Sequence, residues 1–183
     1  RAEPRLSCHQ GREIGASAVS VADIVATRWV ARFYGREFPC SIGRGGVVQD
    51  KVEGDGGSPF GVHRIVGMLY RPDRLPRPAR WAKPIGPADL WSDDPADAAY
   101  NHPVRAPHRF SHEALRRADP MYDLVLITDW NYPAAIPGEG SAIFVHIWRK
   151  PRHPTAGCVA FAKPDLLWIA ARISIGTRLI IRG

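Results

Sequence analysis

The residues of this sequence best suited to chemistry are a cysteine and a histidine, Cys158 and His146. His146 lies in the apolar run AIFVHIW, and Cys158 begins the extended run CVAF. A thiol becomes a nucleophile when a neighbouring base takes its proton, and acyl transfer also needs N–H groups for the oxyanion. Gly157 allows a close backbone approach just before Cys158. The pair is therefore a candidate for cysteine-dependent acyl transfer.

Two short strands on either side of one loop must hold this pair together. The sequence predicts strands over residues 142–148 and 158–161, joined by a proline-containing loop over residues 149–157. Adjacent strands lie about 4.8 Å apart, so the two side chains meet if both point to the same face. A lone buried cysteine is more often a small hydrophobic residue, and a lone histidine on a strand is more often satisfied in the core. On spacing alone both interpretations stay open, and Thr155 either contacts substrate or holds the loop.

The remaining elements favour a mostly β domain. Apolar, β-branched runs predict strands over 62–70, 122–130 and 177–182, and the second half of 16–35 also favours a strand. Residues 38–71 suggest a β-hairpin-like unit, because their valines precede a glycine-rich turn and a returning strand. Many strands and few helices are typical of a sandwich or barrel.

Two helices are predicted. The run SHEALRRAD, residues 111–119, suggests a short helix with Ser111 as its N-cap. The run AKPDLLWIAARI, residues 162–173, suggests a second helix, with Pro164 near its first turn and an apolar buried side. Both helices are expected at the rim of the domain.

A proline-rich segment spans residues 72–108. Proline removes a backbone donor and fixes φ, so regular structure cannot run far there. Embedded aromatic residues, among them Trp91 and Tyr100, favour an ordered covering loop over a flexible linker. Trp91 and Asp93 are candidate substrate contacts, and a packed tryptophan and a turn aspartate are the alternative interpretation.

Length and charge restrict the class of protein. The chain has 183 residues, which fits one domain, and we expect residues 1–37 to pack with a catalytic domain over residues 38–183. No apolar run approaches the roughly 20 residues of a membrane helix. The net charge of +7 comes mainly from arginine and could attract an acidic polymer, anionic lipid or nucleic acid. No zinc-finger spacing or RNA-binding motif supports nucleic acid, so no such partner is expected.

The cysteine count argues against a disulfide scaffold, since Cys8, Cys40 and Cys158 are an odd number. A Cys8–Cys40 disulfide remains open and would leave Cys158 free. Three thiols are the favoured interpretation, with Cys8 and Cys40 structural or incidental. No metal or other cofactor is expected.

The two runs IFVHIW and PTAGCVAF together resemble the active-site signature of the L,D-transpeptidase (YkuD-like) catalytic-domain family. That signature has a histidine on a strand, a loop, then Ser/Thr-x-Gly-Cys and a hydrophobic residue. The run GDGGSPFGVHRI also resembles the family's upstream Thr/Ser-Pro-x-Gly turn. The resemblance covers roughly residues 38–182 and implies a β-sandwich of mixed sheets with one or two peripheral helices. The matching residues of the signature are His146, Thr155, Gly157, Cys158 and Val159.

The sequence departs from the family pattern at the acceptor side of the motif. Many members have histidine where this chain has Ala156, and arginine or asparagine where it has Ala160. The loop between the histidine and the cysteine is also shorter than in many members. Arg149 and Arg152 in that loop are candidates to supply the missing positive charge, or they are solvated loop residues.

The resemblance implies a peptidoglycan L,D-transpeptidase that acts on stem peptides. Cys158 would attack the amide between diaminopimelate and the terminal D-Ala of a tetrapeptide stem, with His146 as the base and the Ile147 carbonyl orienting its ring. The amides of Gly157 and Cys158 would form the oxyanion hole, and carbapenem-like agents would acylate the cysteine. The other candidate substrate contacts are Thr155, Ala156, Arg149 and Arg152.

Two alternatives accompany this interpretation. An L,D-carboxypeptidase would pass the same thioester to water and release a tripeptide. A basic, non-catalytic binding module is the less favoured alternative. A removed signal would place the protein in the periplasm or cell envelope, and its absence would place it in the cytoplasm. The oligomeric state is left open.

Overall fold

A computed structural model describes residues 18–183 of the chain as fourteen strands and one helix. The first seven strands are β1 Ile24–Ala26, β2 Val30–Phe33, β3 Arg36–Ser41, β4 Val47–Val48, β5 Ser58–Pro59, β6 Gly61–Tyr70 and β7 Lys83–Pro84. The remaining elements are β8 Asp89–Ser92, β9 Pro103–Arg105, β10 His112–Ala114, β11 Leu124–Thr128, β12 Phe144–Ile147, β13 Val159–Phe161, α1 Lys163–Ala170 and β14 Arg178–Ile181.

Nine strands form one large sheet that folds over on itself, in the order β11-β12-β13-β3-β2-β1-β14-β6-β7. The fold gives two layers, one with β2, β1 and β14 and the other with β11, β12 and β13. The first part of β6 pairs with β14 and its second part pairs with β11, so β6 joins the two layers. Strand β3 joins them on the opposite side, because it pairs with both β2 and β13. The pairings are both parallel and antiparallel, and the predicted mostly β sandwich of mixed sheets is confirmed.

The core lies between the two layers. Strand β11 has the sequence LVLIT and is buried at all five positions, as a central strand covered on both faces requires. Helix α1 adds Leu166 and Ile169 to this core, and it is the one helix of the described residues. Burial of each large apolar side chain contributes roughly 1.5–3 kcal/mol. The site of interest is therefore built on strands with little freedom to move.

The proline-rich segment is ordered and contributes short strands rather than an irregular loop. Strands β9, β8 and β10 form a three-stranded sheet that packs on the large sheet. Trp91 of β8 is only 1% exposed, and its ring meets the Phe144 ring edge-on at 5.0 Å between centroids. This sheet and the large sheet share a second apolar core, so the segment forms a layer of the domain.

Two of the local predictions are wrong. The run 111–119 is not helical, because residues 112–114 pair with β8 as strand β10, and this pairing outweighs the helical preference of Glu, Ala and Leu. The hairpin-like unit predicted over residues 38–71 does not form, because β4 pairs with β5 in parallel. The other strand predictions and the helix over 162–173 are confirmed within a few residues.

The N-terminal region enters the same sheet from residue 24 onwards, since β1 pairs with β14 and β2 pairs with β3. Cys8 lies outside the described residues, so the Cys8–Cys40 pairing is not addressed by the structure. Cys40 is buried and has no disulfide partner among the described residues, and its Sγ lies 3.4 Å from the Thr27 carbonyl oxygen. Within residues 18–183 no helix is long and apolar enough to span a bilayer.

Candidate active site

Cys158 and His146 lie on one face of two parallel strands. Strands β12 and β13 pair with Val145 beside Val159 and His146 beside Ala160, which places Cys158 next to Phe144. Side chains alternate along a strand, so His146 and Phe144 share a face with Cys158. A contact across the strands agrees with this register, because the Phe144 amide lies 3.4 Å from Cys158 Sγ.

A backbone carbonyl orients the His146 ring. Its Nδ1 lies 2.8 Å from the carbonyl oxygen of Ile147, the partner considered for it from the sequence. A carbonyl oxygen can only accept a hydrogen bond, so Nδ1 carries the proton and Nε2 keeps its lone pair. The Tyr122 ring packs edge-on against the imidazole at 5.4 Å between centroids. His146 is therefore a neutral imidazole in a fixed orientation, with Nε2 unprotonated.

The Cys158 thiol is held by backbone groups of the segment that leads into β12. Its Sγ donates to the Ala142 carbonyl oxygen at 3.1 Å. The Ala142 amide in turn donates to Asn101 Oδ1 at 2.9 Å, and the Trp91 indole donates to the same oxygen. Asn101 is thus linked through Ala142 to the position of the sulfur.

Burial controls the protonation of both groups. It raises the pKa of Cys158 to about 12, and the nearby Glu113 carboxylate raises it too, while the Phe144 amide and Lys51 act in the opposite direction. Burial lowers the pKa of His146 to about 4, opposed by the hydrogen bond to Ile147. At neutral pH the free protein therefore holds a neutral thiol and a neutral imidazole. Moving a proton from the thiol to the imidazole keeps the total charge of this pair at zero, whereas ionising either one alone does not.

The loop before Cys158 is held by side-chain hydrogen bonds. Thr155 Oγ1 donates to the Cys158 carbonyl oxygen at 2.6 Å and accepts from the Gly157 amide at 3.1 Å. Thr155 therefore holds the loop, although it also lines the cavity described below. The Gly157 amide, one of the two oxyanion donors predicted from the sequence, is engaged with Thr155. This leaves the Cys158 amide as the stronger candidate donor.

The Ser-Pro-x-Gly turn supports this loop from the other side. Ser58 Oγ donates to the Gly157 carbonyl oxygen at 2.6 Å and accepts from the Gly43 amide at 2.9 Å. Gly157 has a φ of +145°, and a Cβ there would lie 2.9 Å from the Gly57 carbonyl oxygen. Only glycine fits this close approach without displacing the turn.

A cavity of about 330 Å³ opens beside the cysteine and the histidine. The predicted contacts Thr155, Ala156, Arg149 and Asp93 all line it, together with Cys158 and His146.

Two predicted contacts lie elsewhere. Arg152 is exposed and donates to the Trp29 carbonyl oxygen at 3.0 Å. Trp91 is buried, and its indole N–H is already paired with Asn101. Neither side chain is among the cavity lining, so the structure gives no support to a substrate contact at these two positions.

Several charged cavity residues were not anticipated from the sequence. The basic side chains of Arg44 and Lys51 line the cavity, and Lys51 is buried in a salt bridge to Asp55 at 2.6 Å. The acidic side chains of Glu53 and Glu113 also line it. All four lie in segments far from the cysteine motif, and nothing in their local sequence distinguishes them from surface charges. Among residues 18–183, no group of three or more His, Cys, Asp or Glu side chains is arranged to hold a metal ion.

Comparisons with known proteins bear on this site. The sequence model of the YkuD family, described as "L,D-transpeptidase catalytic domain", matches residues 21–181. No curated protein matches the chain. One solved structure that matches is "Structure of Bdellovibrio bacteriovorus Bd1075", at 18% sequence identity and a TM-score of 0.43. That match covers 87% of this chain and 47% of the Bdellovibrio bacteriovorus chain, so the present chain spans about half of that protein's length.

Proposed function

The chain belongs to the YkuD family of L,D-transpeptidase catalytic domains, and on that premise we propose that it is a peptidoglycan L,D-transpeptidase with Cys158 as its nucleophile. The observation that supports this most is the placement of Cys158 and His146 on one face of two parallel strands, at the wall of one cavity. His146 presents Nε2 as its basic atom, because Nδ1 is bound to the Ile147 carbonyl. A nucleophile, a base and a substrate cavity are thereby combined.

The first half of the reaction forms a thioester. His146 Nε2 takes the Cys158 proton as the sulfur attacks the carbonyl carbon between the L-centre of diaminopimelate and the terminal D-Ala. The oxyanion is stabilised by backbone N–H groups, with the Cys158 amide as the main candidate. The imidazolium then gives its proton to the leaving amine of D-Ala, and the histidine returns to its neutral form. The oxyanion and the imidazolium exist only while substrate fills the cavity.

The second half passes the acyl group to an acceptor. An amine of a second stem attacks the thioester, and the product is a 3–3 cross-link with Cys158 again a thiol. Water as the acceptor would instead give an L,D-carboxypeptidase that releases a tripeptide. The cavity residue Arg149 and the backbone of Thr155 and Ala156 are proposed to contact the stem, with Arg149 binding a stem carboxylate.

Mass spectrometry of the intact protein tests the nucleophile. After incubation with a carbapenem, the wild-type protein and Cys40→Ala are expected to gain the mass of one acyl adduct, and Cys158→Ala to gain none. Cys40 is the matched control because it is the other buried cysteine of the described residues. An adduct that persists on Cys158→Ala, or a Cys158 inert to both the carbapenem and small thiol reagents, would remove the proposed mechanism.

Product analysis with a diaminopimelate tetrapeptide then identifies the acceptor. A cross-linked dimer supports transfer, and tripeptide alone supports the carboxypeptidase. The two reactions also suggest different compartments. Transfer between wall strands requires the periplasm or cell envelope, whereas trimming of soluble stems is compatible with the cytoplasm.

In His146→Gln, formation of the acyl-enzyme is expected to be slower by about 10²–10⁴-fold, the usual contribution of a general base.

A further inference from the structure

Two carboxylates on the three-stranded sheet line the cavity that contains Cys158. They belong to Asp93, just after β8, and Glu113 on β10. We propose that Asp93 and Glu113 bind the ammonium group of the acyl acceptor and thereby direct the thioester to transfer instead of hydrolysis. This inference rests on the proposed function and assigns its second substrate to particular residues.

The sheet geometry places the two carboxylates on one face. Strands β8 and β10 are antiparallel with Glu113 opposite Trp91, and the ladder continues through the Asp93 amide, which donates to the Ser111 carbonyl oxygen at 3.2 Å. Residues two apart on a strand share a face, so Asp93 is the diagonal neighbour of Glu113. Diagonal neighbours have Cα atoms about 7–8 Å apart, which lets two carboxylates approach one cation from two sides.

One oxygen of the half-buried Asp93 carboxylate is unpaired within residues 18–183. It is Oδ1, which is enclosed by the protein and accepts no hydrogen bond from that part of the chain. Buried carboxylate oxygens are nearly always hydrogen bonded, because an unpaired one has lost its hydration without compensation. A ligand that donates hydrogen bonds would satisfy this oxygen.

Glu113 has only weak partners and is repelled by its neighbour. The Tyr122 hydroxyl lies 3.4 Å from Glu113 Oε2, and the Arg117 guanidinium lies 3.9 Å from it. Arg117 is bound more closely to Asp119, at 2.7 Å. Burial raises the pKa of Glu113, and so does the charge of Asp93. A cation between the two carboxylates would relieve this repulsion.

The acceptor of an L,D-transpeptidase has the charge that this pair requires. A primary amine of diaminopimelate is an ammonium ion at neutral pH, with three hydrogen-bond donors. The stems also contain carboxylates, and the cavity has Arg44 and Arg149, which belong to loops of the large sheet, to bind these. The ammonium of the acceptor and the carboxylates of the stems would therefore be bound by different side chains of one cavity.

The proton balance gives Glu113 a chemical role as well. The bound ammonium gives one proton to the Glu113 carboxylate, which later releases it to water. The free amine attacks the thioester carbonyl, a C–N bond forms, and the C–S bond breaks. His146 takes the second proton from the attacking nitrogen and passes it to the departing sulfur, which restores the Cys158 thiol. Water, being neutral, gains much less than an ammonium ion from the two carboxylates, so they favour transfer.

The test compares products that arise from the same acyl-enzyme. Wild type, Asp93→Asn and Glu113→Gln are acylated with tetrapeptide and offered either a diaminopimelate tripeptide or hydroxylamine, which is mostly uncharged at neutral pH. The ratio of tripeptide-acceptor product to hydrolysis product is expected to fall about tenfold or more in each variant, as for the loss of one charge-assisted hydrogen bond. The ratio with hydroxylamine should change much less. Glu37→Gln, which alters an exposed charge on β3, is the control and should match wild type.

An equal fall with both acceptors, or an unchanged ratio, would overturn the proposal. Binding to Cys158→Ala protein separates this inference from the proposed function, because binding requires no acylation. In calorimetry the diaminopimelate tripeptide is expected to bind at least about tenfold more tightly than the same tripeptide with its free diaminopimelate amine acetylated. The double variant Cys158→Ala, Asp93→Asn should show no such preference. Equal binding of the two peptides would reject the ammonium site. If Cys158→Ala shows the preference but the wild-type protein forms no thioester, only the proposed reaction is rejected.

Discussion

Cys158 and His146 are enclosed by protein, at 8% and 3% exposure, and this enclosure makes their charged forms unfavourable. Because the pKa of the thiol is raised and that of the imidazole is lowered, the thiolate–imidazolium pair is scarce in the free protein. The substrate carbonyl carbon is the electrophile that accepts the electron pair of the sulfur as the proton leaves, so negative charge does not build up on the sulfur. We infer that the nucleophile is activated during attack and is not stored as a thiolate.

The buried imidazole leads to a prediction for stability. Its pKa is about 4 in the folded protein, against an ordinary value of 6.5. Between these values the unfolded chain binds a proton that the folded protein does not, so the free energy of unfolding rises with pH across that interval. Lowering the pH from about 6.5 to about 4 should therefore remove on the order of 3 kcal/mol of stability through this residue. Urea unfolding of wild type and His146→Gln across the interval measures it as the difference between the two curves.

The control for this experiment is His112→Gln, which changes an exposed histidine on β10. It should retain the wild-type pH dependence, since both variants lose one histidine but only one loses a buried imidazole. Parallel curves for wild type and His146→Gln would show that the imidazole is solvated or paired in the folded protein. The neutral resting pair inferred above would then be wrong.

At the scale of elements, the turn before β13 decides where the sulfur lies. Gly157→Ala would place a Cβ 2.9 Å from the Gly57 carbonyl oxygen and 3.0 Å from Ile143 Cδ1. We expect a loss of roughly 1–3 kcal/mol in the free energy of unfolding, and a loss of acyl-enzyme formation because the Cys158 amide and sulfur move with the turn. Denaturant unfolding and intact-mass acylation measure the two effects.

Gly138→Ala is the matched control for that substitution. Gly138 also has a positive φ, +89°, but a Cβ there meets nothing within 4 Å. It should show the conformational cost alone and keep normal acylation. If both variants acylate normally, the close approach of the turn to β5 does not position the nucleophile.

The sequence predicted the elements that are specified locally and missed those that depend on distant pairing. Runs such as YDLVLITDW could be assigned as strands because their apolar residues are β-branched or aromatic. The run SHEALRRAD has helix-forming residues, yet it forms β10 because β8 offers it a partner some twenty residues away in sequence. Local propensity contributes less than such tertiary pairing, and one sequence does not reveal the partner.

The residues of the candidate site fall into the same two groups, those identified from local sequence and those brought together only by the fold. Cys158, His146, Thr155 and Gly157 fall within thirteen residues, so spacing and a family signature could identify them together. Glu113, Arg44 and Lys51 come from distant segments, and only the folded sheets bring them to the cavity. The two predicted contacts that do not line the cavity share one cause, because a tryptophan in a proline-rich segment and an arginine in a loop look accessible until the packing around them is known.

At the scale of the whole molecule, the three-stranded sheet is a structural layer and not a detachable lid. Trp91 joins the layers through its ring contact with Phe144 and its hydrogen bond to Asn101. Trp91→Ala should lower the free energy of unfolding by about 3–5 kcal/mol, as expected for a large side chain removed from a core. Trp91→Phe keeps a ring and loses the hydrogen bond, so a loss of about 1 kcal/mol is expected. Full stability in Trp91→Ala with weakened stem-peptide binding would restore Trp91 as a substrate contact.

The net charge of +7 acts on a polymer differently from a short peptide. A cell-wall sacculus presents many acidic groups over distances longer than the Debye length, which is about 10 Å at 0.1 M salt and about 3 Å at 1 M. Binding of the Cys158→Ala protein to sacculi should therefore weaken steeply as salt rises through this range. Acylation by a free tetrapeptide should change less, because the cavity itself contains both acidic and basic side chains. Pelleting with sacculi and intact-mass acylation, each across a salt series, measure the two dependences. If binding to sacculi were insensitive to salt, the arginine-rich surface would not concentrate the protein on this polymer, and any recognition would lie within the cavity.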